Sequence, residues 1–376
     1  MPSFLKTKIS LRQIELLTVA LPQKETFRSA IGFRSERQAL LVKWFDGDRN
    51  YGIGECSCRP DPYFNGEFVS GAIEVIEKFI APSLTPQMTV QQLHTLAQKV
   101  RGWPFTVAAL TDAAFDLLRR NGEKDLLDLY PANRIDNIPV GISLGLFESE
   151  RAALERVEKA VDQAYRRIKM KVAPGMNPQT VIAIRETYPD LYLGLDANGS
   201  FSPDDKLLLA QLSEARPNML EQPFPPNRLD WVRWLKEQFP TFAVCLDESI
   251  TCLGDLITAQ KMGAIDELNI KPGRVGGQIE TTHILDYCRD NQIPAWVGGM
   301  FESGIGRYAN LRVAAFLDRA KAHDLSPSSR YFKKDLVHFP LEMTDGLISI
   351  AQDQPVKIDE DAIQIFLKSR SILQIS

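Results

Sequence analysis

Five charged residues, each closing a short apolar run, recur at an almost constant interval: Lys171, Asp196, Glu221, Asp247 and Lys271 follow one another by 25, 25, 26 and 24 residues. That interval is about the length of one strand, turn and helix. The apolar runs are expected as strands at Ile138–Ser143, Ile168–Val172, Tyr192–Asp196, Asn218–Glu221, Ala243–Asp247, Glu267–Lys271 and Ala295–Gly298, with a weaker eighth at His323–Leu325. Amphipathic helices fill the gaps, as at Glu148–Tyr165, Pro203–Ala215 and Gly277–Cys288. Strand and helix alternating through about 190 residues predict a parallel sheet, and eight strands predict a closed (β/α) barrel. An open doubly wound sheet is the alternative. Its glycine fingerprint is missing, since Gly141-Ile-Ser-Leu-Gly145 lacks the third glycine and the acidic partner that follows.

The first stretch follows another pattern. Leu11–Ala20, Arg37–Phe45 and Asn50–Cys56 alternate or are rich in β-formers, and Asp46-Gly47-Asp48 supplies a hairpin turn. Glu67–Ile80, Val90–Val100 and Phe105–Arg120 carry apolar residues at helical spacing, ending at Asn121-Gly122. The expected organisation is an α+β capping domain over 1–133, a barrel over 134–340, and a C-terminal segment over 341–376 that returns toward the cap. The formal net charge of −4, without a long charged block, argues against nucleic acid and anionic membranes as partners. The start lacks the apolar core of a secretory signal and no run is long enough to span a bilayer, so a cytoplasmic protein is expected. Five cysteines without framework spacing are expected as reduced thiols.

Any one of the five in-phase residues alone reads as a solvated charge at a strand end. Together they would all emerge at the carboxyl ends of adjacent strands, where barrel enzymes assemble their sites. Three carboxylates converging there need a cation between them, because buried charges are costly unless paired. Oxygen-only ligands select a hard ion, so Mg²⁺ is expected, with Mn²⁺ as an allowed substitute, rather than zinc. Such an ion can bind a substrate carboxylate and stabilise the second negative charge that develops when the α-proton leaves. A lysine serves as base beside that carbon when nearby cations lower its pKa. Lys169 and Lys171, two apart on one strand, face the same side, and Lys271 arrives from across the barrel.

The runs Arg167-Ile-Lys169-Met-Lys171, Leu195-Asp196-Ala-Asn198, Leu220-Glu221-Gln-Pro223, Leu246-Asp247-Glu248-Ser249 and Asn269-Ile-Lys271-Pro-Gly-Arg274-Val-Gly-Gly277 resemble the muconate-lactonising branch of the enolase superfamily. The resemblance implies a modified (β/α)7β TIM-type barrel, with Asp196, Glu221 and Asp247 as metal ligands and Lys171 and Lys271 as the acid/base pair. Val140-Gly-Ile-Ser143, Trp296-Val-Gly-Gly299-Met300-Phe-Glu302 and Ser328-Ser-Arg330-Tyr-Phe332 are similar to the group that mixes o-succinylbenzoate synthases with N-succinylamino acid racemases. Ser143, Lys169, Asn198, Glu248, Arg274, Gly299 and Met300 are then expected to face the substrate or support the residues that do, with Arg274 behind Lys271. Loops around Phe27 and Tyr63 are expected to wall an apolar pocket, or simply to pack on the barrel.

The implied activity is Mg²⁺-dependent dehydration of 2-succinyl-6-hydroxy-2,4-cyclohexadiene-1-carboxylate, a menaquinone-pathway step. Racemisation of N-succinylamino acids is the alternative, and the two activities can coexist. Dipeptide epimerisation ranks lower, because no Asp-x-Asp pair stands near the last strand, and a ligand-binding barrel without catalysis ranks lower still. The partner expected is a small-molecule carboxylate, with homo-oligomerisation left open. No His-x-x-Asp pair marks the sixth and seventh strands, which sets the chain apart from the mandelate racemase branch.

Overall fold

The apolar runs pair side by side in chain order. In the computed structural model, which describes residues 3–29, 32–47, 50–130, 134–317, 321–350 and 355–376, seven strands form one parallel sheet. They are Ile142–Leu144, Ile168–Lys171, Leu193–Asp196, Met219–Glu221, Val244–Leu246, Glu267–Ile270 and Ala295–Val297. Leu195, Leu220, Leu246, Ile270 and Val297 are fully buried, as expected for strands covered on both faces. Helices Glu150–Asp162, Gln179–Thr187, Lys206–Glu214, Leu229–Gln238, Leu253–Lys261, Gln278–Asp290 and Gly304–Ala314 follow the strands in turn.

The eighth place is filled by a single bridge rather than a full strand. His323 pairs in parallel with Val140, its N–H donating to Pro139 O at 2.9 Å and its carbonyl accepting from Gly141 at 2.7 Å. On its other side, Asp324 N donates to Val297 O at 3.0 Å, so this segment joins the first and last strands and closes the ring. The architecture is a (β/α)7β barrel.

The expected first strand, Ile138–Ser143, divides in two. Asn137–Pro139 pairs antiparallel with Leu347–Ser349, and the parallel strand begins only at Ile142. Pro139 has no N–H to continue the ladder, and the chain changes partners there.

At the other end of the molecule, Gln13–Ser29, Gly32–Phe45 and Tyr51–Cys56 form an antiparallel sheet. A fourth strand, Leu367–Gln374, comes from the far end of the chain and covers the open edge of Gln13–Ser29. Leu16, Leu40, Val42 and Trp44 pack with Phe105 and Phe115 of helix Pro104–Arg120 in a core separate from that of the barrel. Asp48 of the expected hairpin turn, residue 133 at the expected domain boundary and the Phe27 side chain lie outside the described residues. Among those described, no helix is long and apolar enough to cross a membrane.

Buried carboxyls tie the two cores together and cap helices. Glu55, on the Tyr51–Cys56 strand, accepts from Ser303 N and Gly306 N at 3.1 Å and from the Ser303 hydroxyl at 2.6 Å, which caps helix Gly304–Ala314 of the barrel. Helix Pro104–Arg120 starts behind Trp103, which offers no side-chain cap. Glu67 replaces it, accepting from Phe105 N, Thr106 N and the Thr106 hydroxyl, each at 2.9 Å. Burial pushes Glu67 up to about 7 against the pull of those donors.

A carboxyl raised from its ordinary 4.5 to about 7 takes up a proton on folding, so its contribution to stability is present at low pH and is lost as pH rises through that window. Glu55 and Asp112, also raised to about 7 chiefly by burial, act in the same direction. Glu67→Gln is therefore expected to shrink the loss of stability between pH 5 and pH 8, measured as denaturant midpoints at both values. An unchanged difference would contradict the assignment.

Candidate active site

The barrel register places the in-phase residues beside one another. Lys171 is the cross-strand neighbour of Asp196, and Asp196 of Glu221, each at the carboxyl end of its strand. Asp247 follows Val244–Leu246 by one residue, and Lys271 follows Glu267–Ile270, immediately before the short helix Pro272–Val275. Asp196, Glu221 and Asp247 are at most 1% exposed.

Asp196, Glu221, Asp247 and Asp324 each face a cation at this end. Lys169 Nζ lies 2.8 Å from Glu221, 3.1 Å from Asp196 and 2.7 Å from Asp324. Lys171 Nζ donates to Asp196 at 2.7 Å and to Asn198 Oδ1, while Asn198 Nδ2 donates to Glu248 at 3.0 Å. Lys271 Nζ donates to Asp247 at 2.7 Å, and Arg274 pairs with the other oxygen of the same carboxylate.

Burial opposes ionisation of Asp196, but Lys169 and Lys171 outweigh it and hold the carboxyl well below the usual range. Asp247 is held down by Lys271 and Arg274 against the same penalty. Glu221 goes the other way, up to about 8, because burial and the neighbouring Asp196 exceed the help of Lys169.

Gln222 organises the spot where two of these strands end. Its amide donates to Phe224 O and Ser249 Oγ, both at 2.8 Å, and its oxygen accepts from Asp247 N and Ser249 N, both at 3.1 Å. It does so with φ +38°, a left-handed conformation that the four bonds compensate.

A cavity of about 140 Å³ opens over these groups. Ser143, Lys169, Lys171, Asp196, Asn198, Asp247, Lys271, Gly299 and Met300 line it, all of them expected from the sequence. Gly298 and Gly299 are required by close approach. A Cβ on the first would stand 2.2 Å from Asn269 Oδ1, and one on the second 2.6 Å from Arg307 Nη1. Glu221, Glu248 and Arg274 lie behind the wall rather than in it. Glu221 also accepts from Asn269 Nδ2 at 2.9 Å, and Arg274 is anchored on Ile250 O at 2.8 Å. Arg274 thus shares Asp247 with Lys271.

Tyr63 corrects an expectation. It is 72% exposed and away from the cavity, and the next residue, Phe64, lines it instead, with its ring 5.1 Å from Lys271 Nζ. Phe64 is turned inward by an edge contact with Phe105, ring centroids 6.3 Å apart, and its neighbour is left outside.

Asp324, Asn269, Arg307, Arg37 and the Phe301–Tyr331 ring pair also line the cavity and were not singled out from the sequence. Asp324 was open to discovery, since Lys271, Gly298 and Asp324 continue the same interval with steps of 27 and 26 residues. Next to it, His323 is buried and held down to about 3, by burial first and then by Arg167, so it is a neutral acceptor for Val297 N at 2.9 Å and not an acid or base.

The donor set suits a hard cation. The carboxylates supply only oxygen, and Glu221 is crowded by Asp196, Asp247 and Asp324, which favours added positive charge there. As they stand, turned to lysines and an arginine, no three His, Cys, Asp or Glu among the described residues are grouped to hold an ion.

The Enolase C-terminal domain-like family matches residues 152–361, more than half of the chain. The chain belongs to the enolase superfamily. An o-succinylbenzoate synthase of Listeria innocua is 30% identical over 352 residues, 93% of this chain and 94% of that protein. An N-succinylamino acid racemase of Thermus thermophilus is 33% identical over 340 residues, 90% and 91% of the two chains. A crystal structure of an enolase-superfamily member from Listeria innocua superposes with a TM-score of 0.90 at 29% identity, covering 98% of this chain and 100% of the other. These relatives across nearly the whole length are enzymes, and so is this superfamily member.

Asp324 anchors both Lys169 and Arg167, the latter at 2.7 Å. Asp324→Asn leaves two buried cations short of a counter-charge and is expected to destabilise the fold by about 3 kcal/mol in urea unfolding. A loss below about 1 kcal/mol would show that neither cation depends on it.

Proposed function

We propose that this enolase-superfamily member is an o-succinylbenzoate synthase, a cytoplasmic carbon–oxygen lyase that dehydrates 2-succinyl-6-hydroxy-2,4-cyclohexadiene-1-carboxylate. The observation that carries the reading is that Lys171 and Lys271 open on one cavity whose floor holds Asp196 and Asp247. The domain division fits the same view, with 1–133 capping the barrel mouth and 341–376 returning to it.

Lys169 is not the base, because its ammonium is committed to Asp196, Glu221 and Asp324. Lys171 is: it also lines the cavity, but has one carboxylate partner, Asp196, together with Asn198, where Lys169 has three. Its neutral amine takes the proton from the carbon next to the ring carboxylate, and the electron pair forms the new ring double bond. The hydroxyl on the adjacent carbon departs with the proton that Lys171 has accepted, so water leaves and the aromatic product remains. Lys271, paired with Asp247, stays cationic across the ring. Mg²⁺ held by Asp196, Glu221 and Asp247 would bind the substrate carboxylate and stabilise the charge that develops on it. Glu248, through Asn198, and Arg274, through Asp247, position these groups.

Racemisation of N-succinylamino acids is a second reading favoured by the same shared cavity, since two lysines on it can each exchange a proton with one α-carbon. In deuterium oxide, wild type is expected to exchange the α-proton of both enantiomers if this activity is present, and Lys271→Ala to lose one of them selectively. Exchange of neither enantiomer by wild type would exclude the second reading.

For the dehydration, Lys171→Ala is expected to lower kcat by more than about 1,000-fold with an unchanged circular dichroism spectrum. Retained turnover would refute its role as base. Chelation of divalent ions is expected to abolish product formation, and added Mg²⁺ or Mn²⁺ to restore it. Full activity in the presence of chelator would remove the metal from the account.

A further inference from the structure

Arg37 belongs to the antiparallel strand Gly32–Phe45, yet its side chain lines the cavity at the barrel mouth. It is 4% exposed. Among the described residues, one bond holds it in place, from Nη1 to the Cys58 carbonyl at 2.8 Å. Its Nε and Nη2 have no hydrogen-bond partner among the described residues. Two unpaired guanidinium nitrogens in a buried position are costly, so the arrangement calls for an acceptor that binding brings in.

The identity of the free atoms narrows what that acceptor is. Nε and Nη2 form the side of a guanidinium that grips a carboxylate with two parallel bonds. The same molecule shows that grip twice, from Arg59 Nε and Nη2 to Asp61 and from Arg228 Nε and Nη2 to Asp230. Among the described residues, no carboxylate takes this position on Arg37. Glu55 is committed to Ser303 and Gly306, and two other arginines that line the cavity are already paired, Arg59 with Asp61 and Arg307 with Glu302.

On the proposed reading, one substrate carboxylate at the reacting end of the cavity is accounted for by the Mg²⁺ that Asp196, Glu221 and Asp247 would hold. Both substrates considered above carry a second carboxylate, at the end of a succinyl arm. We propose that Arg37 binds this non-reacting succinyl carboxylate through Nε and Nη2, and so sets the preference for succinylated acids. The proposal rests on the reading of the site as acting on such acids.

The test compares α-proton exchange of N-succinylphenylalanine and N-acetylphenylalanine by the full-length, Mg²⁺-loaded protein in deuterium oxide. Arg37→Met is expected to lower kcat/KM for the succinyl compound by about 100-fold and for the acetyl compound by less than about 3-fold, with Arg37→Lys recovering part of the preference. Equal losses on both compounds would make Arg37 a structural residue, and no loss on either would make it a bystander; each result overturns the proposal. If wild type exchanges neither compound, the racemase reading fails, and calorimetry with o-succinylbenzoate and 2-acetylbenzoate decides for Arg37. Tighter binding of the succinyl compound that disappears in Arg37→Met supports the proposal, and equal binding of the two overturns it.

Discussion

The contact of Lys169 with Asp196, Glu221 and Asp324 is the constraint on which the site depends. It joins strand ends that are separated by half the barrel, and it places a permanent positive charge beneath groups that would otherwise repel one another. Without it, Glu221 would have no cationic partner among the described residues, and Asp196 and Asp324 would each keep only one, Lys171 and Arg167, in an interior where uncompensated charges cost several kcal/mol each. The barrel also closes here: Asp324 is both a partner of Lys169 and the residue whose N–H meets the last parallel strand. Closure of the fold and assembly of the charge cluster are therefore one structural event.

Around this cluster the chain divides its labour. Groups at the strand ends are held rigidly by the barrel, and the wall above them comes from the antiparallel sheet and its loops, through Arg37, Arg59 and Phe64. The interface between the two is bridged by buried carboxyls, Glu55, which caps the barrel helix Gly304–Ala314, and Asp112, which accepts from the Gln278 side-chain amide at 3.1 Å. The cavity is thus built from two parts, a charged floor at the barrel strand ends and a wall supplied by the antiparallel sheet and its loops.

Much of this was legible in the sequence because the barrel is periodic. A strand, turn and helix of nearly constant length put Lys171, Asp196, Glu221, Asp247 and Lys271 in phase, and burial on both faces made the strands readable as apolar runs. The eighth segment was legible only weakly, at His323–Leu325, because it is reduced to one bridge at His323, and Asp324 within it was not singled out. Pro139 broke the first strand in a way that hydrophobicity does not reveal. On the opposite wall, the loop was legible but not which of Tyr63 and Phe64 turns inward, and that is decided by Phe105, some forty positions away. Arg37, in an alternating strand, reads as a surface charge until the barrel is packed against it. Long-range caps such as Glu55 and Glu67 carry no local signal at all.

The most direct test of the central claim is a crystal structure of this enolase-superfamily member with Mg²⁺ and o-succinylbenzoate. The account predicts one ion bound by carboxylate oxygens of Asp196, Glu221 and Asp247 together with the ring carboxylate of the ligand, and Lys171 and Lys271 on opposite faces of the ring. An ion bound away from those three carboxylates, or a ring that contacts neither lysine, would contradict it.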